Sequence, residues 1–260
     1  MRTAIIIPAR WASKRFPGKP LAPILGVPLI RRVVNIACAA GADDVCVATD
    51  DQRIAECVQA GGARVCMTSA ACRNGSERVY EAAQQLAVRP EVVVNLQGDA
   101  VLTPPWVLSA LIAEMHSVSA PPAATPAVQL TREQYETLRA GKARGTVGGT
   151  LVVFDRRGRA LYFSRALIPH MRDPHDDAML PVFRHIGCYA FRLTALQDYL
   201  RLAPGPLEQV EQLEQLRLLE HGIELRVVPV DYRGRTHWSV DTPEDARLAE
   251  EIIRREGELV

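Results

Sequence analysis

The sequence predicts an α/β protein with a doubly wound, mostly parallel sheet and a second, smaller lobe. Two observations predict this fold class: short apolar runs alternate with amphipathic segments through the first 115 residues, and the pattern changes after a stretch rich in proline. Alternating strands and helices favour parallel strands with helices on both faces of the sheet. With 260 residues, 48% of them hydrophobic, the chain is long enough to bury a large core.

The elements of the first lobe are predicted from periodicity. Strands are short apolar runs, and helices repeat apolar residues three or four positions apart. In chain order the predicted elements are strand 4–7, helix 28–40, strand 44–48, helix 52–60, strand 64–67, helix 76–86, strand 92–96 and helix 104–115. The run VVVNL at 92–96 is typical of a central strand that is buried on both faces.

The second lobe is predicted to begin in the segment SVSAPPAATPA, residues 117–127, which proline and small residues should keep irregular. Beyond it we predict a hairpin from GGTLVVFD and ALYFSR, a strand at 185–191, a long helix at 207–220 and a strand at 225–230. A last helix should begin with Thr242 as its N-cap, Pro243 in its first turn and Asp245 closing a capping box. The predicted division is a core of residues 1–125 and 226–260, with residues 126–225 as the second lobe.

Composition excludes several classes of protein. The formal net charge of +1 gives no bulk attraction to nucleic acids or membranes, and neither a basic stripe nor an aromatic platform supports RNA binding. Six cysteines without metal-ligand spacing predict reduced, mostly buried thiols. No apolar stretch reaches 18 residues. We therefore expect a cytoplasmic protein that binds neither nucleic acid nor membrane.

Polar residues follow several predicted strands at the point where each strand ends. Ligands of open α/β sheets bind beyond the carboxyl ends of the strands, so these residues should converge on one crevice. They are residues 10–19 after the first strand, Thr49-Asp50-Asp51 after the second, Gln97-Gly98-Asp99 after the central strand, and Asp241.

The loop after the first strand carries four cations, Arg10, Lys14, Arg15 and Lys19, and the hydroxyl of Ser13. Cations spaced along one loop can surround a triphosphate, with arginine supplying forked contacts and lysine a point charge. The alternative is a solvated basic turn. The chain contains neither G-x-x-x-x-G-K-[ST] nor G-x-G-x-x-G, so neither a P-loop ATPase nor a dehydrogenase is indicated.

Two carboxylates face this loop in the predicted arrangement. Asp99 lies just past the central strand, where Gly98 lets the backbone approach a ligand, and Asp241 precedes the last helix. A single aspartate at such a position is often only a turn residue. Two of them opposite a triphosphate loop predict a Mg²⁺ site in which the metal joins protein carboxylates to phosphate.

Eight motifs in order identify a resemblance that spans nearly the whole chain. They are ARWASKRFPGKPL, TDD, NGSERV, NLQGDA, LYFSRALIP, RHIGCYAF, LEQVEQLEQLRLLEHG at 207–222 and VDTPEDA. They resemble the CMP-Kdo synthetases, the 3-deoxy-manno-octulosonate (Kdo) cytidylyltransferases. The resemblance implies a Rossmann-like fold of the nucleotide-diphospho-sugar transferase type, a homodimer, and a reaction of CTP with an acidic acceptor that gives a CMP conjugate and pyrophosphate and uses Mg²⁺.

The resemblance also implies roles for individual residues, with the core binding CTP and the second lobe binding the acceptor and forming the dimer. The implied phosphate ligands are Arg10, Ser13, Arg15 and Lys19, and the implied cytidine pocket is Gly75, Ser76, Arg78 and Gln97. The implied metal ligands are Asp99 and Asp241, which with Arg10, Arg15 and Lys19 form the catalytic set. The implied acceptor ligands are Arg165, His185, Tyr189, Glu214 and Gln215. From residue type alone, Arg165 could equally be a surface charge, His185 a core histidine and Glu214 part of a solvated helix face.

Two positions depart from the family pattern. Ala100 and Val101 follow Asp99 where Glu-Pro is usual, and Leu151 stands where the family has a lysine. Both changes fall on the acceptor side. A phosphonate is already ionised near pH 7 and needs less help from a carboxylate than a hydroxyl does. Only three of the 31 cations are lysines, a bias towards arginine that fits a GC-rich genome. We therefore expect, by a slight preference, a phosphonate-pathway relative that uses phosphonoformate, with Kdo as the alternative acceptor.

Two further classes of protein stay open. A non-catalytic nucleotide-binding paralogue would explain the missing glutamate, and it would bind CTP without releasing pyrophosphate. A glycosyltransferase also places aspartate at a strand end to hold a metal-bound nucleotide sugar. The basic loop favours an unshielded triphosphate over a nucleotide sugar.

Overall fold

The computed structural model describes residues 1–13, 15–145, 148–172 and 179–260, so Lys14 of the basic loop lies outside the described residues. Within these ranges, no helix is both long and apolar enough to span a membrane. All six cysteines are free thiols. Cys46, Cys66 and Cys188 are buried, whereas Cys38 is exposed.

Twelve strands lie within the described residues. They are β1 (Thr3–Ala9), β2 (Pro23–Ile24), β3 (Val27–Pro28), β4 (Asp44–Thr49), β5 (Arg64–Met67), β6 (Val92–Asn95), β7 (Ala123–Thr131), β8 (Leu151–Phe154), β9 (Ala160–Ser164), β10 (Met179–His185), β11 (Tyr189–Arg192) and β12 (Leu225–Val230).

Nine α-helices lie within the same ranges, together with a short 3₁₀ helix at Lys19–Leu21. They are α1 (Leu29–Cys38), α2 (Gln52–Ala60), α3 (Gly75–Gln85), α4 (Pro105–Met115), α5 (Arg132–Ala143), α6 (Leu193–Tyr199), α7 (Pro206–Glu211), α8 (Leu216–Glu220) and α9 (Pro243–Glu256).

One ten-stranded sheet organises the chain, in the order β5-β4-β1-β6-β11-β7-β10-β8-β9 with β12 paired to β7. Strands β5, β4, β1 and β6 are mutually parallel, which confirms the predicted α/β fold with a mostly parallel sheet. Strands β8 and β9 form the predicted antiparallel hairpin. The carboxyl ends of β1, β4 and β6 therefore open on one edge, where the predicted site residues begin.

The core lies on both faces of this sheet. All seven residues of β1 are buried, and they alternate between two apolar clusters. Ile5 and Ile7 pack with α1 and α4 on one face, and Ala4 and Ile6 pack with α3 on the other. Because both faces are covered by helices, the central strands have to be apolar at every position, which explains their continuous hydrophobic runs.

Strand β7 corrects one prediction, because the segment expected to be irregular becomes a strand from Ala123 onward. One edge of β7 pairs with β11 at Ala123–Ala124 and then with β10 from Ala127 to Thr131, and its other edge pairs with β12. Small alanines fit the tightly covered sheet, and the carbonyl of Pro126 still accepts a hydrogen bond from the Ile186 backbone N–H at 3.0 Å. The predicted boundary at 125/126 falls inside β7, and the boundary at 225/226 falls inside β12.

Two other elements differ from the predictions. The strand predicted at 185–191 is interrupted, since β10 ends at His185 and β11 begins at Tyr189. The helix predicted at 207–220 is two short helices, because Gln212 adopts a left-handed conformation with φ 52° after α7. The ion pair of Glu208 with Arg217 bridges the two helices and is buried. Helix α5, which was not predicted, begins at a capping box of Thr131 and Gln134.

The start of α9 confirms the predicted capping box. The Thr242 side chain accepts a hydrogen bond from the Asp245 backbone N–H, and the Asp245 side chain accepts from the backbone N–H of Thr242. Asp241 lies one residue outside the helix and its carboxylate takes no part in the cap. The carboxylate is therefore available to the edge of the sheet.

Candidate active site

Lys19 brings the two predicted metal-binding carboxylates together. Its Nζ lies 2.6 Å from Asp99 Oδ2, 3.5 Å from Asp241 Oδ1 and 2.8 Å from the carbonyl oxygen of Val240, to which it donates. Arg15 reaches the same carboxylate, with its Nη2 3.0 Å from Asp241 Oδ1. Residues separated by more than 200 positions thus meet at one point, as the strand-end positions predicted.

The first turn of the basic loop is more open. Arg10 is exposed and forms no ion pair in the part of the chain that the structure describes. Ser13 Oγ accepts a weak hydrogen bond from the Phe16 backbone N–H at 3.4 Å. In the described residues, Arg15 and Lys19 are thus held by carboxylates, whereas Ser13 makes only this weak contact.

Gly98 and Gly75 allow a close approach between loops. A Cβ on Gly98 would lie 2.7 Å from the backbone oxygen of Pro8, so no side chain fits at this position. A Cβ on Gly75 would lie 3.3 Å from the Pro8 ring and 3.5 Å from Gln97 Oε1. The end of β1, the start of α3 and the loop after β6 are therefore packed closely together, with Gly98 directly against the Pro8 backbone.

The residues implied for cytidine binding form two groups. Gln97 Nε2 donates to Asn95 Oδ1 at 3.1 Å, and Asn95 Nδ2 donates to Ser76 Oγ at 3.5 Å. Gln97 and Ser76 thus share one polar network at the end of β6. Arg78 lies apart from this network: its side chain is buried, with Nη2 2.9 Å from Asp50 Oδ2 and Nη1 2.6 Å from Thr68 Oγ1. Arg78 therefore anchors the turn after β4.

The acceptor-side aromatic residues lie next to this network. Tyr189 pairs with Asn95 across β11 and β6, and its ring lies 5.5 Å from the ring of His185. His185 Nε2 is 2.8 Å from Thr125 Oγ1, and burial lowers the pKa of its imidazole to about 3. His185 is consequently neutral at pH 7. Its environment is that of a core histidine that also borders the site.

Glu214 and Gln215 lie in the turn between α7 and α8. Glu214 is exposed at the level of the whole residue, and desolvation raises the pKa of its carboxyl group. Gln215 is buried, and among the described residues its Nε2 has no hydrogen-bond partner. A buried amide donor without an acceptor costs about 1–3 kcal/mol, so a ligand or water oxygen that accepts from Nε2 would stabilise this turn.

Arg165 is held by the end of α7. Its Nε donates to the Glu211 carbonyl oxygen at 2.8 Å and its Nη2 to the Gln212 carbonyl oxygen at 3.1 Å. Its backbone N–H donates to Glu211 Oε2 at 2.9 Å. The guanidinium is thus partly used in fixing the turn that carries Glu214 and Gln215.

The carboxylate pair fits a divalent cation. Asp99 and Asp241 already hold a positive charge, the Lys19 ammonium, between their oxygens. Over the described ranges, no cluster of three or more His, Cys, Asp or Glu residues stands close enough to form an all-protein metal cage. A site of two carboxylates suits Mg²⁺, which takes its remaining ligands from water and phosphate.

A large groove adjoins the carboxylates and was not predicted. It has a volume of about 1080 Å³ and runs from Arg15 and Asp241 past Trp238 to Gly149 and Arg184. Burial lowers the pKa of the Arg184 guanidinium, which packs against Gly149. Arg184 directly precedes His185 at the end of β10. Nothing in the sequence around Arg184 distinguishes it from a surface arginine.

Comparison with known proteins explains this combination of features. The family model described as Cytidylyltransferase matches residues 4–225. A 3-deoxy-manno-octulosonate cytidylyltransferase of Maricaulis maris is 49% identical over 261 residues, covering the whole of both chains. The chain belongs to the 3-deoxy-manno-octulosonate cytidylyltransferase family. It is therefore a CTP-dependent nucleotidyltransferase, as the resemblance implied.

Other family members and solved structures agree. A 3-deoxy-manno-octulosonate cytidylyltransferase of Zea mays is 40% identical over 97% of this chain and 81% of its own. The structure of a CMP:2-keto-3-deoxy-manno-octonic acid synthetase complexed with CTP superposes with a TM-score of 0.85 at 34% identity, covering 98% of this chain and 100% of that one. A nucleotidyl transferase of Methanothermobacter, at 17% identity and a TM-score of 0.60, shares the fold.

These findings confirm the resemblance to the cytidylyltransferase family and correct the preferred acceptor. The relatives that match the whole chain are named for Kdo. None of the comparisons supports the phosphonate-pathway relative. The alternative of the sequence analysis, Kdo, is the better supported.

Proposed function

We propose that this cytidylyltransferase transfers CMP from CTP to Kdo and releases pyrophosphate, with Mg²⁺ as its metal. The observation that carries the proposal is the 49% identity over the full chain to a relative named for this acceptor. The neighbour of similar fold that is complexed with CTP supports the same nucleotide. The proposed working form is a homodimer, which rests on the family resemblance alone.

The basic loop supplies the charge for the triphosphate in this proposal. Arg15 and Lys19 lie beside Asp99 and Asp241, so phosphate oxygens and carboxylates would share the same cations. Arg10 and Ser13 stand at the open side of the loop and add a guanidinium and a hydroxyl donor. Arginine forks and lysine point charges both suit phosphate oxygens, which is why a loop carrying both fits pyrophosphate as a leaving group.

The nucleoside would lie over the glycines that bring the loops together. Gly75 and Gly98 let these loops pack closely on Pro8, while Ser76 and Gln97 present polar atoms from one network. In this proposal Arg78 contributes through Asp50, by fixing the turn after β4.

The acceptor is proposed to bind between Tyr189 and the turn at 214–215. Gln215 offers a buried amide donor and Glu214 a carboxyl group with a raised pKa, both suited to sugar hydroxyls. Arg165 and His185 hold the two sides of this region through the Glu211 and Thr125 contacts. A ligand rich in hydroxyl groups satisfies these polar atoms better than a small phosphonate does.

The reaction is an in-line displacement at phosphorus. An acceptor hydroxyl oxygen forms the new bond to the α-phosphorus of CTP as the bond to the pyrophosphate oxygen breaks, and the hydroxyl proton leaves to solvent. Asp99 and Asp241 would hold Mg²⁺, which when bound neutralises phosphate charge and lowers the pKa of a hydroxyl group. The chain's own residues orient the two substrates and stabilise charge on the leaving pyrophosphate.

Pyrophosphate release from CTP tests the proposal. Kdo, phosphonoformate and buffer alone are compared, each with Mg²⁺ and with a chelator, and with ATP or UTP replacing CTP. Release with Kdo, CTP and Mg²⁺ is the expected result. Release only with phosphonoformate would reinstate that acceptor, and CTP binding without release for either acid would indicate a non-catalytic paralogue.

A further inference from the structure

We infer that Arg53 and Trp11 are positioning residues for the nucleotide: stacking of the Arg53 guanidinium on the Trp11 ring holds the basic loop 10–19 in the shape that receives the phosphates. The inference rests on the proposed function, in which this loop binds the CTP triphosphate. Neither residue belongs to the cations and carboxylates assigned above.

The contact joins the loop to the start of α2. Arg53 Cζ lies 3.4 Å from the centroid of the Trp11 ring, the distance of direct face-on stacking. Tryptophan is the aromatic residue that attracts a guanidinium most strongly. Because Arg53 is the second residue of a regular helix, it offers the loop a fixed point on the rigid part of the fold.

Asp51 fixes the orientation of the guanidinium. Its Oδ1 accepts from the backbone N–H and from Nε of Arg53, both at 3.0 Å, and its Oδ2 lies 2.6 Å from Nη2. The first of these bonds makes Asp51 the N-cap of α2. A carboxylate that accepts from two nitrogens fixes the orientation of the planar guanidinium, and a fixed plane stacks well on an aromatic ring.

The Trp11 ring also contacts the far part of the loop. A Cβ on Gly18 would lie 2.9 Å from the ring, so the backbone at Gly18 rests directly on it. The carbonyl oxygen of Trp11 accepts hydrogen bonds from the backbone N–H groups of Ser13 at 2.9 Å and Gly18 at 3.0 Å. Trp11 thus holds both the early and the late part of the loop.

This arrangement limits the conformational freedom of a partly exposed loop. Arg15 and Pro17 are exposed, and Trp11 and Phe16 are only partly buried against the core. An anchor at Trp11 orders the loop before the phosphates arrive, so less conformational freedom is lost when CTP binds. Losing the anchor should weaken CTP binding while leaving the chemistry of the bound complex largely unchanged.

The test is the steady-state kinetics of Arg53→Gln, Trp11→Leu and the double variant, with CTP and Kdo varied in turn. The stacking of an exposed pair corresponds to about a two- to fivefold change in affinity. We expect KM for CTP to rise by about that factor in each single variant, with kcat and KM for Kdo nearly unchanged. KM for CTP in the double variant should not exceed the higher of the two single-variant values, because both substitutions remove the same contact.

Conservative variants and a matched control separate positioning from general damage. Trp11→Tyr keeps an aromatic face and should restore most of the CTP affinity, whereas Arg53→Lys keeps the charge but not the stacking plane. Arg64→Gln is the control, because Arg64 is an equally exposed arginine paired with a carboxylate, Asp44, at the opposite end of the sheet. Its KM for CTP should not change.

Arg15→Gln distinguishes failure of the inference from failure of the proposed function. If Arg15→Gln raises KM for CTP and Arg53→Gln does not, the stacking contact does not position the loop and the inference is wrong. If neither variant changes KM for CTP, the loop does not bind the triphosphate, and both the inference and the phosphate assignment fall.

Discussion

Asp99→Asn removes a charge from the point where the loop, the central strand and the last helix meet. Asp99 Oδ2 lies 2.6 Å from Lys19 Nζ, and the side chains of Asp99 and Lys19 are 26% and 14% exposed. The substitution keeps the volume nearly constant. If the carboxylate holds Mg²⁺, the amide should lose several kcal/mol of transition-state stabilisation, which corresponds to a fall in kcat of about 10²- to 10³-fold.

The cost in stability should be small by comparison. An exposed ion pair is worth about 0–1 kcal/mol, and breaking a fully buried pair costs about 3–5 kcal/mol. After the change, Lys19 still donates to the Val240 carbonyl oxygen at 2.8 Å and lies 3.5 Å from Asp241. We therefore expect a loss near the lower value, about 1 kcal/mol, or about 2–4 °C in Tm.

Pyrophosphate release and thermal unfolding are measured on the same preparations. Asp198→Asn is the control, because Asp198 is an exposed aspartate on α6 with only a 4.0 Å contact to Arg201. Near-normal turnover in Asp99→Asn would refute the assignment of Asp99 to the metal. A drop in Tm far beyond the expected range would show that Asp99 acts mainly in holding the fold.

Three further outcomes are expected. Gly98→Ala should lose about 1–3 kcal/mol in urea unfolding, since its Cβ would lie 2.7 Å from the Pro8 backbone oxygen, and an unchanged midpoint would contradict that packing. Arg217→Met should cost about 3–5 kcal/mol because it leaves the Glu208 carboxylate buried without its partner, whereas Arg201→Met on the surface should cost almost nothing. Burial lowers the pKa values of His185 and His237 to about 3, so below pH 6.5 the unfolded chain binds more protons than the folded chain. The free energy of unfolding should therefore fall as pH drops from about 6.5 towards 3. His237→Asn should make the free energy of unfolding less dependent on pH over this range.

The parallel half of the fold was predictable because burial on both faces leaves a strong signal. Strands such as β1 and β6 are apolar at nearly every position, and the chain between them alternates in period. Strand β7 carries no such signal, because its small alanines and Pro126 fit the elements that pack on the strand and are not typical strand-forming residues. The break after α7 could not be predicted either, because the residue with positive φ is Gln212 and not a glycine.

The candidate site was predictable where position on a strand determines it. Asp99 follows from the end of β6, whereas Asp241 lies in the segment between β12 and α9, and the structure brings both to one ammonium. What sequence cannot give is the partner of each charge. Arg78 belongs to a family motif, yet its guanidinium is committed to Asp50, and the stacking of Arg53 on Trp11 joins residues 42 positions apart.

The continuous strand β7 constrains how the enzyme can move. Its first residues pair with β11 and its last with β10, while β12 runs along its other edge, so both lobes share one uninterrupted backbone. A hinge between the lobes would have to break these ladders, whereas hinges normally lie in loops and element ends. Opening and closing around substrates should therefore be confined to the loops at the rim, and the angle between the two lobes should stay the same throughout the catalytic cycle.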